Sequence, residues 1–133
     1  MDRKALIEEA FKALENSYSP YSNFKVGACI LCRDGTLFYG TNIENASYPV
    51  TNCAERSAVF ACYSRGYREK DIEAIAIVSN GARISAPCGA CRQVLCELLE
   101  PLTPIYLSNG TEEMETNIQR LLPMQFNRKD VLG

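Results

Sequence analysis

The residues best suited to chemistry in this chain are its cysteines. Cys88 and Cys91 form a C-x-x-C step directly behind Pro87, a spacing that serves either as half of a metal site or as a redox pair. The chain holds seven cysteines and no histidine. A transition-metal site must therefore be built from thiolate or carboxylate, and no imidazole is available as a general base. The step opens a run from Cys88 to Glu100 that reads as a helix, and a helix N-terminus lowers thiol pKa and favours thiolate. Cys53 likewise stands where a helical run begins, two residues ahead of Glu55. Two helices fed by neighbouring loops at one end of a sheet bring three thiolates to one point, which weighs for metal over redox pairing.

The other cysteines do not join them. Cys62 follows Cys53 at a spacing that puts it on the opposite helix face, and Cys96 lies about 140° around its helix from Cys91. Cys29 and Cys32 bracket Ile30 and Leu31 in a strand run, so they face opposite ways. They read as small buried hydrophobes. Cys53, Cys88 and Cys91 then make a three-ligand set with a position open for water, as in catalytic zinc. The alternative is a structural site closed by a fourth donor that the spacing does not reveal. Glu55 has two readings as well. With Asn52 as N-cap it would be a capping-box glutamate, whereas beside a metal it is placed for proton transfer.

The elements that must position these residues can be read from the hydrophobic pattern. Asp2 to Tyr18 is amphipathic at helical spacing. The loop Ser19 to Asn23 is followed by a β-rich run from Phe24 to Cys32, a turn at Asp34-Gly35, and a second strand from Leu37 to Gly40. Thr41 to Asn52 is polar and irregular, and Cys53 to Arg65 is helical, with Gly66 closing it. Ala74 to Val78 is a continuous apolar run, the mark of a strand covered on both faces. After the Cys88 to Glu100 helix come a short strand at Ile105 to Leu107, an edge strand near Glu113, a helical turn from Ile118 to Leu122, and a tail. A hairpin followed by strand–helix alternation implies a three-layer α/β/α sandwich around a mixed five-stranded sheet, as one domain over residues 1–133.

Cys53-Ala54-Glu55 followed by Pro87-Cys88-Gly89-Ala90-Cys91 resembles the paired C-x-E and P-C-x-x-C signature of the cytidine deaminases. The likeness extends along most of the chain. Phe24 to Ala28 resembles the family's first-strand motif, Thr41 to Tyr48 its nucleoside-binding loop, and Leu121-Leu122-Pro123 with Phe126 its C-terminal segment. Together these resemble the short homotetrameric class; the longer dimeric class uses a histidine ligand, which this chain lacks. Pro49-Val50, Ala86 and Met124-Gln125 depart from the usual pattern, and they bear on the shape of the pocket, not on the ligands.

The resemblance implies hydrolytic deamination of free cytidine and deoxycytidine to the uridine nucleosides and ammonia, with one zinc ion per subunit held by Cys53, Cys88 and Cys91. Glu55 would carry protons between water, base and leaving amine. Arg56 resembles the arginine that hydrogen-bonds the zinc thiolates, offsetting their formal charge of three against the zinc dication. Asn42 and Glu44 resemble the pair that holds the ribose 3′-hydroxyl, and Phe24 the residue that packs on the base. Ala54 falls among the substrate-binding residues, while Tyr48 and Phe126 resemble residues lent to a neighbour's pocket in the tetramer.

Composition agrees with a small-molecule enzyme. A net charge of −2 and the absence of a basic block leave no footprint for a nucleic-acid polymer. Charges interrupt the N-terminal stretch every few residues, and no apolar run approaches the ~20 residues of a membrane span. A cytoplasmic protein with a nucleoside substrate, and neither a membrane nor a nucleic acid as partner, is expected. The rival readings are a blasticidin-type deaminase on the same ligands, a structural-zinc or thiol-redox module, and a polynucleotide editor.

Overall fold

The computed structural model describes residues 1–133. A five-stranded mixed sheet runs in the order β2-β1-β3-β4-β5, with β1 at Val26–Cys32, β2 at Leu37–Thr41, β3 at Ile72–Ser79, β4 at Ile105–Ser108 and β5 at Glu113–Thr116. β1 is antiparallel to both β2 and β3; β3 and β4 are parallel, and β4 and β5 antiparallel. Strands β2 and β3 therefore run the same way on either side of β1. Their C-terminal ends and the N-terminal end of β1 meet at one edge of the sheet. Everything that follows β2 or β3, or precedes β1, starts or finishes there.

Alternation along β1 sorts side chains between the two faces. Cys29 and Leu31 pack with Leu6, Ile7 and Ala10 of α1 (Arg3–Leu14), against Ala74, Ala76 and Val78. Ala28, Ile30 and Cys32 pack on the opposite face with Ala58, Val59 and Cys62 of α2 (Ala54–Ser64) and Leu95 of α3 (Gly89–Leu98). The three layers are thus one helix, the sheet, and a helix pair. Cys29 and Cys32 are indeed buried on opposite faces. No helix is long and apolar enough to cross a membrane.

Several boundaries differ from the pattern reading, each for a local reason. Helix α1 ends at Leu14, because Tyr18 leaves it to bridge Ile43, its N–H donating to Asn42 O at 3.1 Å. Strand β1 begins at Val26, not Phe24; the residues before it are bonded by side chains from neighbouring loops. The N-cap of α2 is Cys53, not Asn52, whose side chain instead donates to Ser57 Oγ. The C-terminal tail contains α5 (Arg128–Leu132), capped reciprocally by Asn127 and Asp130. Between it and β5 lies the short α4 (Ile118–Leu121).

Candidate active site

Helices α2 and α3 begin at the sheet edge where β2 and β3 end, and both N-caps are cysteines, Cys53 and Cys88. Cys91 sits in the first turn of α3. The three Sγ atoms lie within 4.8 Å of one another, and Cys88 and Cys91 are 3.4 Å apart. Tetrahedral zinc with Zn–S bonds of ~2.3 Å places its sulfurs about 3.8 Å apart, so the cluster needs little adjustment to hold the ion. Cys62 and Cys96 point elsewhere: Cys62 Sγ lies 3.8 Å from Cys32 Sγ in the core, and Cys96 Sγ donates to Gln125 Oε1 at 3.1 Å. No fourth histidine, cysteine or carboxylate joins the set. Three donors with a position left for water is the arrangement of a catalytic zinc site, whereas a structural site has four protein donors.

The Arg56 guanidinium lies against the cluster and acts on its thiols. Hydrogen bonding to Cys91 and then the Arg56 guanidinium push the Cys53 thiol down to about 5, against its burial. The same bond with Cys53, together with burial, pushes the Cys91 thiol up. Metal binding takes thiolates, so a bound cation would release whatever protons the thiols hold. Arg56 Nη2 donates to Cys53 Sγ at 3.4 Å, while its Nε is buried with no partner. Arg92 braces the loop that carries Cys88, its guanidinium donating to Pro87 O at 2.7 Å and Leu121 O at 2.8 Å.

Glu55 is 4% exposed, and its Oε1 lies 3.5 Å from Cys91 Sγ. With Cys53 as N-cap, Glu55 is the second residue of α2, one place short of the capping-box position. Burial pushes its carboxyl above the usual range, and the Cys53 thiolate adds to this. A buried carboxyl without a cap to make, facing a thiol cluster, is a candidate for proton transfer.

Beside the cluster opens a cavity of about 270 Å³, near the lower end of the ~300–1,000 Å³ typical of small-ligand sites. Phe24, Asn42, Glu44, Tyr48, Ala54 and Glu55 all line it. The Glu44 carboxylate accepts from the N–H groups of Tyr21 and Ser22, at 3.0 and 3.2 Å, and from the Ser22 hydroxyl. The Ser22 hydroxyl, aided by those N–H groups, holds its carboxyl below the usual range. Asn42 accepts from Val26 N–H and the Ser17 hydroxyl and donates to Phe24 O, which leaves one amide proton free. Tyr48 is 63% exposed at the rim. Phe126 lies apart, beside Gln93 and Val131, and does not line this cavity. The pattern reading missed Ser22, Thr51 and Asn52 in the wall, polar residues outside the strands that carry no spacing signal, and Ser79, the last residue of β3. No lysine or arginine lines the cavity.

The family model for the cytidine and deoxycytidylate deaminase zinc-binding region matches residues 1–103. Similar proteins include the cytidine deaminase of Halalkalibacterium halodurans, 50% identical over 132 residues and covering 98% of each chain. That of Sporosarcina psychrophila is 46% identical, over 98% of this chain and 96% of its own. Among solved structures, a cytidine deaminase from Burkholderia pseudomallei matches with a TM-score of 0.91 at 47% identity, covering 95% of this chain and 100% of that one. One from Mycobacterium tuberculosis matches with a TM-score of 0.79 at 37% identity, over 95% of this chain and 98% of that one.

Proposed function

This chain belongs to the zinc-dependent cytidine deaminase family, and on that premise we propose that it hydrolyses free cytidine and deoxycytidine to the uridine nucleosides and ammonia. The observation that carries the reading is the meeting of three sulfurs, a buried carboxyl and an apolar cavity at one sheet edge. Cys53, Cys88 and Cys91 would hold the zinc, which when bound would supply the Lewis acidity that makes water a nucleophile near neutral pH. Arg56 compensates the excess negative charge of the thiolates.

Glu55 takes a proton from the water whose oxygen bonds to C4 and delivers it to N3 of the base; it then moves the proton of the new C4 hydroxyl to the 4-amino group, so that the C4–N bond breaks, C4 becomes a carbonyl and ammonia leaves. A carboxyl raised by burial suits this exchange, since general acid–base catalysis works best with a pKa near the working pH. The Phe24 ring packs on the base. The first-turn N–H of Ala54 has no partner within its helix and is offered to the base. Glu44, ionised and acceptor-only, receives a ribose hydroxyl, and the free amide proton of Asn42 is directed to the same sugar.

The cavity also argues for a nucleoside over a nucleotide. Its only ionisable carboxyl side chains are Glu44 and Glu55, and a phosphate would find no cationic side chain there. Comparing cytidine with its 5′-monophosphate tests this: kcat/KM should fall at least a hundredfold on phosphorylation, and equal turnover of the nucleotide overturns it. We also place the protein in the cytoplasm as a homotetramer. Tyr48, Val50, Met124 and Phe126 are exposed apolar side chains that subunit contacts would cover, with Tyr48 and Phe126 lent to neighbouring pockets. Light scattering that gives a monomer at micromolar concentration would refute the assembly.

A further inference from the structure

Residues 23–26 lead into β1 past the cavity, and their backbone groups are met by two asparagine side chains acting in the same way from opposite sides. Asn42, just after β2, accepts from Val26 N–H through Oδ1 at 3.0 Å and donates through Nδ2 to Phe24 O at 2.7 Å; its own N–H donates to Val26 O at 3.3 Å. Asn80, just after β3, accepts from Lys25 N–H through Oδ1 at 2.9 Å and donates through Nδ2 to Asn23 O at 3.2 Å; its own N–H donates to Lys25 O at 3.2 Å. Each carboxamide thus extends the sheet ladder by one step where the neighbouring strand has ended. Asn23, whose carbonyl Asn80 binds, has φ of 58°, the left-handed conformation that asparagine tolerates better than other non-glycine residues. Gly81 then makes room: a Cβ there would stand 3.0 Å from Phe24 Cε1. Its carbonyl accepts from Asn109 Nδ2 at 3.3 Å.

We propose that Asn80, with Gly81, is a positioning residue for the deamination, fixing the backbone on either side of Phe24 so that the ring stands where the cytosine packs. The inference rests on the role given to Phe24 above. Asn42 is placed both to clamp this backbone and to touch the sugar. Asn80 does not line the cavity, so its influence on the substrate passes through Phe24.

A double-mutant cycle of Asn80→Ala with Phe24→Ala, assayed on cytidine with zinc content checked, tests this. Asn80→Ala should raise KM about tenfold, in line with the loss of two ordinary side-chain hydrogen bonds. Its kcat should stay within about twofold and its zinc content should match the parent. In the Phe24→Ala background the same change should alter KM less than twofold, since no ring remains to be placed. If Asn80→Ala does not fold, Asn80→Asp keeps the acceptor for Lys25 and sets a carboxylate oxygen in place of the donor to Asn23 O. It should raise KM severalfold under the same criteria. A KM within twofold of the parent, a fall in kcat as large as the rise in KM, or an equal factor in the Phe24→Ala background overturns the proposal. An unchanged KM in Phe24→Ala alone overturns the base-packing role of Phe24, and the Asn80 proposal with it.

Discussion

Gly40 couples packing to chemistry, and replacing it with alanine makes the coupling measurable. The added methyl would lie 2.3 Å from Ala54 O, 2.5 Å from Ala58 N and 3.0 Å from Ala58 Cα. Ordinary contact begins near 3.4 Å, and the obstructing atoms are backbone, so α2 must retreat by about an ångström. Overpacking of this kind costs about 1–3 kcal/mol. It is offset by about 0.4–1 kcal/mol from the reduced freedom of the unfolded chain. The mid-range net cost is about 1.3 kcal/mol, and at about 3–5 °C per kcal/mol for a domain of this size Tm should fall by roughly 4–7 °C. The retreat also carries Cys53 away from Cys88 and Cys91, which sit on α3. Metal–ligand distances tolerate only about 0.2 Å, so zinc affinity should drop at least tenfold in the folded protein. Gly27→Ala supplies the control. Its methyl would meet Ala10 O at 2.4 Å and Leu14 N at 2.6 Å, straining α1, which carries no site residue. It should lower Tm comparably and leave zinc affinity within about threefold. Differential scanning calorimetry and a zinc titration at low temperature give both numbers. A Gly40→Ala protein that melts and binds zinc like the parent would refute the reasoning, and so would equal zinc loss in the two variants.

Glu44→Gln should keep most of the hydrogen-bonded frame around Ser22 but lose the ionised acceptor for the sugar. kcat/KM for cytidine should then fall about ten- to a hundredfold while that for free cytosine barely changes; equal losses on the two substrates would end the ribose-clamp reading. Because the Glu44 carboxyl is held below the usual range, its contribution to sugar binding is present above that lowered pKa and lost only as pH falls through it. KM for cytidine should therefore stay flat through the ordinary carboxylate range, and a rise there would contradict the assignment. Glu55→Gln should keep fold and zinc but lower kcat by at least a hundredfold, with Tm unchanged or raised because a buried ionisable group is removed; near-parental turnover would eliminate Glu55 as the shuttle.

Much of the site was legible in the sequence because its chemistry is tied to helix starts. Cys53 and the Pro87-to-Cys91 step announced both N-termini, and helical periodicity was enough to turn Cys62 and Cys96 away. The continuous apolar run at Ala74–Val78 likewise identified a central strand covered by helices on both faces. What periodicity could not supply was the exact start of α2. The hydrogen bond from Asn52 to Ser57 leaves Cys53 as the cap and moves Glu55 out of the capping-box position. Nor could it show that Tyr18 would leave α1 to bridge Ile43, since a non-local bridge leaves no local pattern. The roles of Ser22 and Asn80 were hidden for the same reason: each acts on backbone or carboxylate groups distant in sequence. The α5 cap was a different case, with Asn127 and Asp130 standing at readable spacing in a segment too short and polar to draw attention by periodicity.

The central claim is that the three-cysteine cluster makes this chain a zinc-dependent cytidine deaminase, and the most direct test follows the loss of cytosine absorbance on cytidine with metal analysis on the same sample. The account predicts one zinc per chain, conversion to uridine with release of ammonia, loss of activity on chelation, and its return with added zinc. Full zinc occupancy without conversion of cytidine, or conversion that persists after the metal is removed, would contradict it.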